Sequence, residues 1–189
     1  MSIFMEKLQE QYNKIAIPEM MKQFGFKSVM AVPKIVKVIV NTGFGKTIAG
    51  KGAGEREAVE KYLSEGIMAI TGQKPSLRKA KKSIAAFKLR QGVNIGLQTT
   101  LRGRKMEDFL EKLMNIVLPR KRDFRGIPKK SISQTGDLTI GFKEHMLFPE
   151  VKIEKEKGIF GLEVVIATTA KNKQEALELF KHLGFPMER

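Results

Sequence analysis

Cysteine and tryptophan are both absent from the 189-residue chain. Without cysteine there is no disulfide, no thiolate metal site and no cysteine nucleophile. Histidine occurs only at His145 and His182, and neither stands at metal-ligand spacing from another histidine or a carboxylate pair, so no metal and no cofactor is expected. No apolar run approaches the roughly 18 residues of a membrane span, and no segment resembles a secretory leader. The most telling scarcity is local. From Gly66 to Met106 the chain carries ten basic residues and not one Asp or Glu.

What is present is an ordinary globular composition, 42% hydrophobic and 29% charged, with an unusual balance of 35 Lys+Arg against 20 Asp+Glu. The resulting net charge of +15 points to an anionic partner, nucleic acid before membrane. It is not spread evenly. The acid-free stretch contributes +10 and residues 119–136 a further +5, so two internal segments equal the whole excess. Solvated surface is the usual account of one short charge run, but forty-one residues without a carboxylate exceed it.

Periodicity places the elements. Phe4, Leu8, Tyr12 and Ile15 step as a helix, and Pro18 is expected to open a second short turn ending near Gly25. Lys34 to Thr42 reads as a strand with Val36, Val38 and Val40 on its core face. Glu55 to Thr71 reads as a helix stopped by Gly72, with Gly66 its weak point. Ile95 to Arg102 is a second strand and Met106 to Leu118 a helix that Pro119 should end. Residues 119–136, without apolar period, read as a long exposed basic loop. Strands are expected at Asp137 to Lys143, around Val151 to Glu154 and at Leu162 to Thr169. Asn172 with Glu175 signals the start of a last helix. The order implies an α+β, two-layer single domain spanning residues 1–189, with a mainly antiparallel sheet carrying helices on one face and an open face on the other.

Enzyme motifs fail. Gly45-Lys46-Thr47 follows a strand, but a phosphate loop needs glycine five residues before Gly45, and Val40 stands there. A nucleotide-binding enzyme built on this GFGKT turn is the runner-up reading, and a plain strand-to-helix turn the better one. Binding to an anionic membrane lacks the basic amphipathic helix it would need.

The basic constellation remains. Lys74, Arg78, Lys79, Lys81, Lys82, Lys88 and Arg90 punctuate a β-arm of about residues 74–92, spaced to meet successive phosphates, with Ser83, Ala85 and Ala86 allowing close approach. Phe87 either stacks on a base or anchors the arm. If the faces bearing Val36/Val38/Val40 and Ile95/Leu97/Leu101 pack on helices, then Lys37, Asn41, Gln98, Thr100 and Arg102 share the open face. That face lacks the aromatic pair of a base-stacking sheet, so recognition of a folded RNA by shape and backbone is expected.

Several co-linear stretches are familiar: VPKIVKVIVNTGFG from Val32, TGQKP from Thr71, RKAKKSIAAFKLRQG from Arg78, TLRG from Thr100, LPRKRDFRGI from Leu118, TTAK from Thr168 and GFP from Gly184. Together they resemble the large-subunit ribosomal proteins of the universal L five family, in its bacterial form. The resemblance implies binding of 5S rRNA in the central protuberance, alongside large-subunit rRNA and other central-protuberance proteins, in a cytoplasmic ribosome. Its RNA-contacting polar cluster corresponds here to Asn41, Gln73 and Thr100. The arm, with Arg78, Lys79, Lys81, Lys82, Ser83, Phe87 and Lys88, corresponds to one that reaches peptidyl-site tRNA. The loop bearing Arg120, Lys121, Arg122 and Arg125, together with Lys143 to Glu150, corresponds to a bridge to a small-subunit head protein. The Gly-rich stretch from Lys46 to Glu57 takes no role from the family.

Overall fold

Pro18, expected to open a separate short turn, and Pro119, expected to end a helix, both lie within continuous helices. In the computed structural model, which describes residues 8–122, 124–151 and 158–188, the segments Leu8–Gln11, Tyr12–Ala16 and Ile17–Phe24 run on as one helix, α1. Its middle segment is a π turn, in which the Ile17 N–H donates to the Tyr12 carbonyl. Proline lacks an N–H, and its ring crowds the carbonyl four residues back; a widened turn just before Pro18 gives that ring room. Gly25, at φ 68, then ends the helix. The same device recurs at Pro119: Arg104–Lys112, a π turn at Leu113–Val117 and Leu118–Arg120 form one helix, with the Leu118 N–H donating to the Leu113 carbonyl. The helix therefore outlasts Pro119 by one residue. Phe4, the first residue of the expected N-terminal stripe, lies outside the described residues.

Between these helices come β1 (Ile35–Gly43), the one-turn helix α2 (Gly45–Ile48), α3 (Ala53–Thr71), β2 (Ser76–Lys79) and β3 (Asn94–Leu101). The helix 104–120 is α4, followed by β4 (Leu138–Phe142), β5 (Leu162–Thr168) and α5 (Lys173–His182). The strands form one open five-stranded antiparallel sheet in the order β2-β3-β1-β5-β4, an α+β two-layer arrangement as expected. The strand expected around Val151 to Glu154 falls mostly outside the described residues; Val151 itself is a bend.

The chain packs as two compact units. One draws on the described parts of Met1–Val38, Arg102–Ile140 and Val165–Arg189. Its core is apolar, with Ala16, Met20, Leu110, Leu113, Leu138, Ile166, Leu179 and Phe180 fully buried. Each large side chain so removed from water contributes about 1.5–3 kcal/mol. The basic loop belongs to this unit, and it is not wholly exposed: Ile127 and Ile132 are buried, and Ile127 pairs with Met187 in a parallel bridge. Gly126, at φ +117, lets the backbone pass where a Cβ would lie 2.7 Å from the Glu188 nitrogen. At the start of α5 the Glu175 carboxylate accepts from the Lys171 N–H, while the Asn172 side chain caps no helix amide and bonds Glu175 instead. Only the glutamate half of the expected capping signal is used.

The other unit draws on Ile39–Leu101 and the described parts of Gly141–Val164. Phe44, Ile48, Tyr62, Leu63 and Leu97 form its core cluster, so the Leu97 face of β3 lies against α3. Of the Val59, Tyr62, Leu63, Ile67, Ile70 stripe that helical spacing predicts for α3, the last four are buried and Val59 is half-buried against the core, and Gly72 ends the helix in the left-handed region. Gly66 has a packing reason. A Cβ there would meet the Phe160 ring at 2.9 Å.

Candidate nucleic-acid interface

Alternation decides what β1 and β3 offer to solvent. On β1, Val38, Val40 and Thr42 are buried while Lys37, Ile39 and Asn41 are half-exposed; on β3, Leu97, Thr99 and Leu101 are buried while Gln98 and Thr100 are half-exposed. The expected core face therefore holds, with one correction. Val36 is 41% exposed, because β1 only begins at Ile35 and the strand end is not covered as Val38 is.

Within the second unit, Asn41 on β1 and Thr100 on the neighbouring β3 carry polar side chains with no hydrogen bond among the described residues. They stand opposite the buried residues of their strands, in a position to bond a ligand. Gln73 is differently placed. Its Nε2 donates to the Thr100 carbonyl at 3.3 Å, and Thr71 Oγ1 donates to the Gln73 carbonyl at 3.0 Å, so the segment after α3 is tied to β3. Gln98 is also engaged: its Oε1 accepts from Arg78 Nε at 2.6 Å. The remaining two residues of the expected face belong to the first unit, Lys37 with a half-buried stem and Arg102 exposed just beyond β3.

The arm is a hairpin. β2 pairs antiparallel with β3 from Ser76↔Gln98 to Lys79↔Asn94, with a bulge between Arg78 and Lys79 that raises the local twist. Beyond it the Ala80 N–H donates to the Val93 carbonyl and the Gly92 N–H to the Ala80 carbonyl, and residues 81–88 are all exposed. Ser83 Oγ accepts from the Gln91 N–H at 2.9 Å, so this residue closes the tip as well as leaving it narrow. Phe87 is 55% exposed and lines an apolar groove with Gly43, Gly45 and Ile95. Among the described residues no carboxylate pairs with Arg78, Lys79, Lys81, Lys82, Lys88 or Arg90; the ion pairs Lys14–Glu10, Lys22–Glu19 and Lys181–Glu178 all lie on helices of the other unit. A row of unneutralised cations on an extended hairpin is built to meet polyanion.

The loop residues Arg120, Arg122 and Arg125 are exposed and Lys121 is half-buried. In the second unit, His145 sits at the start of the short 3-10 turn His145–Leu147, buried, stacked on Phe160 at 4.0 Å and edge-on to Tyr62. Its Nδ1 accepts from the Phe160 N–H, and burial pushes its pKa below the ordinary value, partly opposed by the nearby Glu144 charge. This is packing, not catalysis.

The GFGKT turn does not wrap as a phosphate loop does. Phe44 is buried, and the N–H groups of Thr47 and Ile48 both donate to the Phe44 carbonyl, so two of the amides a phosphate loop would present are bonded internally. Among the described residues no three His, Asp or Glu side chains gather as a metal would require, and no helix is long and apolar enough to cross a membrane. One cation escaped the sequence reading. Arg56 lies between Glu55 and Glu57, which cancel it in any segment count, yet the fold sets it beside Lys88 and Arg90.

Comparison with known proteins gives one consistent result. A family model of ribosomal protein L5 matches residues 28–90, and a second model, of the C-terminus of the same ribosomal protein family, matches residues 94–187. The chain is 44% identical over 185 residues to the large ribosomal subunit protein uL5 of Carboxydothermus hydrogenoformans, covering 98% of this chain and 100% of that one. It is 45% identical over 182 residues to the large ribosomal subunit protein uL5 of Desulforamulus reducens, covering 96% and 97%.

Proposed function

The chain belongs to the ribosomal protein L5 family, and from that premise we propose that it is a non-enzymatic RNA-binding component of the large ribosomal subunit in the cytoplasm. It binds 5S rRNA in the central protuberance through the polar residues opposite its core face. The basic arm reaches peptidyl-site tRNA, and the loop of Arg120, Lys121, Arg122 and Arg125 contributes to a bridge with a protein of the small-subunit head.

The observation that carries this reading is the pair Asn41 and Thr100: half-exposed polar groups on adjacent strands, without partners among the described residues, beside a hairpin of unpaired cations. Short amide and hydroxyl groups bond 2′-hydroxyls and base edges and so fix register, while the cations supply most of the affinity by releasing counterions from phosphate. A pull-down of 5S rRNA against bulk tRNA tests the assignment. Preferential retention of 5S rRNA is expected, and equal retention of both overturns it.

A further inference from the structure

The Gly-rich link after β1 and the tip of the arm enclose a cavity of about 510 Å³, the size of a small-ligand site. Its lining divides in two. Half-buried Leu89 and Val93, backed by buried Ile48, give an apolar floor, Arg56, Lys88 and Arg90 give three cations from two distant segments, and no carboxylate lines it. None of the three cations has an ion-pair partner among the described residues, and Arg56 Nε is buried without a hydrogen bond. Lys88 adds an independent sign. Among the described residues it is the only non-glycine with positive φ, 51°, a left-handed conformation that strains an L side chain and tends to persist where function holds it.

We propose that this cavity receives one unstacked nucleotide of the bound 5S rRNA, its base on Leu89 and Val93 and its phosphate on Arg56, Lys88 and Arg90. Lys88, at the inner end of the arm tip, thus serves 5S rRNA while the rest of the arm reaches tRNA. The site extends the RNA-binding reading given above and rests on it. A concave pocket admits an extruded residue but not a helical backbone, and guanidinium planes serve both as phosphate forks and as stacking surfaces. A free nucleoside triphosphate fits worse. Such ligands are carried with Mg²⁺ held by a carboxylate and on a loop of open amides, whereas this lining has no carboxylate and the neighbouring Thr47 and Ile48 amides are already bonded. The glycines acquire a purpose too. Gly50, at φ +79, turns the link so that it lines the cavity, with nothing within 4 Å of the place a side chain would fill.

The test uses the full chain with 5S rRNA in filter binding across a salt series, and with 5′-AMP and inorganic phosphate followed by amide NMR shifts. Arg56→Gln and Lys88→Gly are the variants; the second relieves the left-handed strain, so it keeps the fold while removing the charge. Each is expected to bind 5S rRNA about tenfold more weakly, with the salt slope shallower by about one. 5′-AMP should shift the Ile48, Gly50 and Val93 amides more than phosphate does, and 5S rRNA should displace it. Parent-like binding by both variants, with no shift from 5′-AMP, overturns the pocket while leaving the RNA-binding reading intact. Shifts by 5′-AMP that 5S rRNA fails to displace assign the cavity to free nucleotide and overturn the RNA occupant. Absence of any 5S rRNA binding by the parent chain overturns both.

Discussion

Arg78 and Gln98 meet diagonally across the β2–β3 pair, the guanidinium Nε donating to the amide Oε1 at 2.6 Å. The bond ties the base of the cationic arm to the polar strand that carries Thr100, two features read from the sequence as contacts for different RNAs. A double-mutant cycle with Arg78→Ala and Gln98→Ala should show a coupling of about 0.5–1.5 kcal/mol in 5S rRNA binding, because Gln98 orients the guanidinium. Strict additivity in filter binding would mean the two act independently.

The sheet contacts should be separable from folding. Asn41→Ala and Thr100→Ala remove half-exposed polar groups that hold nothing together, so stability in urea should stay within about 0.5 kcal/mol of the parent. Affinity for 5S rRNA should fall roughly five- to twentyfold for each, the worth of a hydrogen bond to a charged or polar RNA group. If both variants bind as tightly as the parent, the sheet face is not the RNA surface.

Charge on the arm should register in salt dependence more than in specificity. Lys81→Ala with Lys82→Ala is expected to lower the slope of log affinity against log salt by about 1.4–1.8 with arm-contacting RNA, since each phosphate contact contributes about 0.7–0.9. An unchanged slope for every RNA tried would place these lysines away from phosphate.

Gly66→Ala pits two effects against each other. Alanine gains about 1 kcal/mol of helix propensity over glycine. Its Cβ, however, would press on the Phe160 ring, which cannot swing aside while stacked on His145 at 4.0 Å and edge-on to Tyr62 at 6.0 Å. Overpacking of a held ring costs about 1–3 kcal/mol and wins. Urea denaturation should show a net loss of up to about 2 kcal/mol, recovered in part by Phe160→Leu.

Buried His145 should make stability depend on pH. Its folded pKa lies below the ordinary 6.5, so under that pH the unfolded chain takes up a proton that the folded chain resists. The stabilisation is complete above about pH 6.5 and declines as the pH falls through that value. His145→Asn keeps an acceptor for the Phe160 N–H and removes the titration, so its thermal midpoint should vary less than the parent's between about pH 7 and 5.5. Parallel curves would show that another group is responsible.

Local patterning already carried much of this molecule. Alternation along Lys34 to Thr42 and Ile95 to Arg102 identifies Asn41 and Thr100 as facing away from the core, because side chains in a strand have a strict period of two whatever surrounds them. The α3 stripe and its Gly72 stop follow from the same kind of reasoning, as does the separation of nearly all excess charge into an arm and a loop. Co-linear motifs from Val32 to Pro186 were enough to name the family.

Tertiary structure decided what periodicity does not encode. Whether Pro18 and Pro119 end a helix or ride through it depends on a π turn, whose cost is recovered only from the packing of Ala16, Leu113 and Val117 in the core. The engagement of Gln98 by Arg78 depends on strand register and a bulge. The meeting of Arg56 with Lys88 and Arg90 depends on a left-handed backbone at one lysine and a glycine turn in a link that, in one dimension, has no pattern at all. A linear sequence tells which neighbours share a face; which distant charges share a cavity is settled only when the chain has closed on itself.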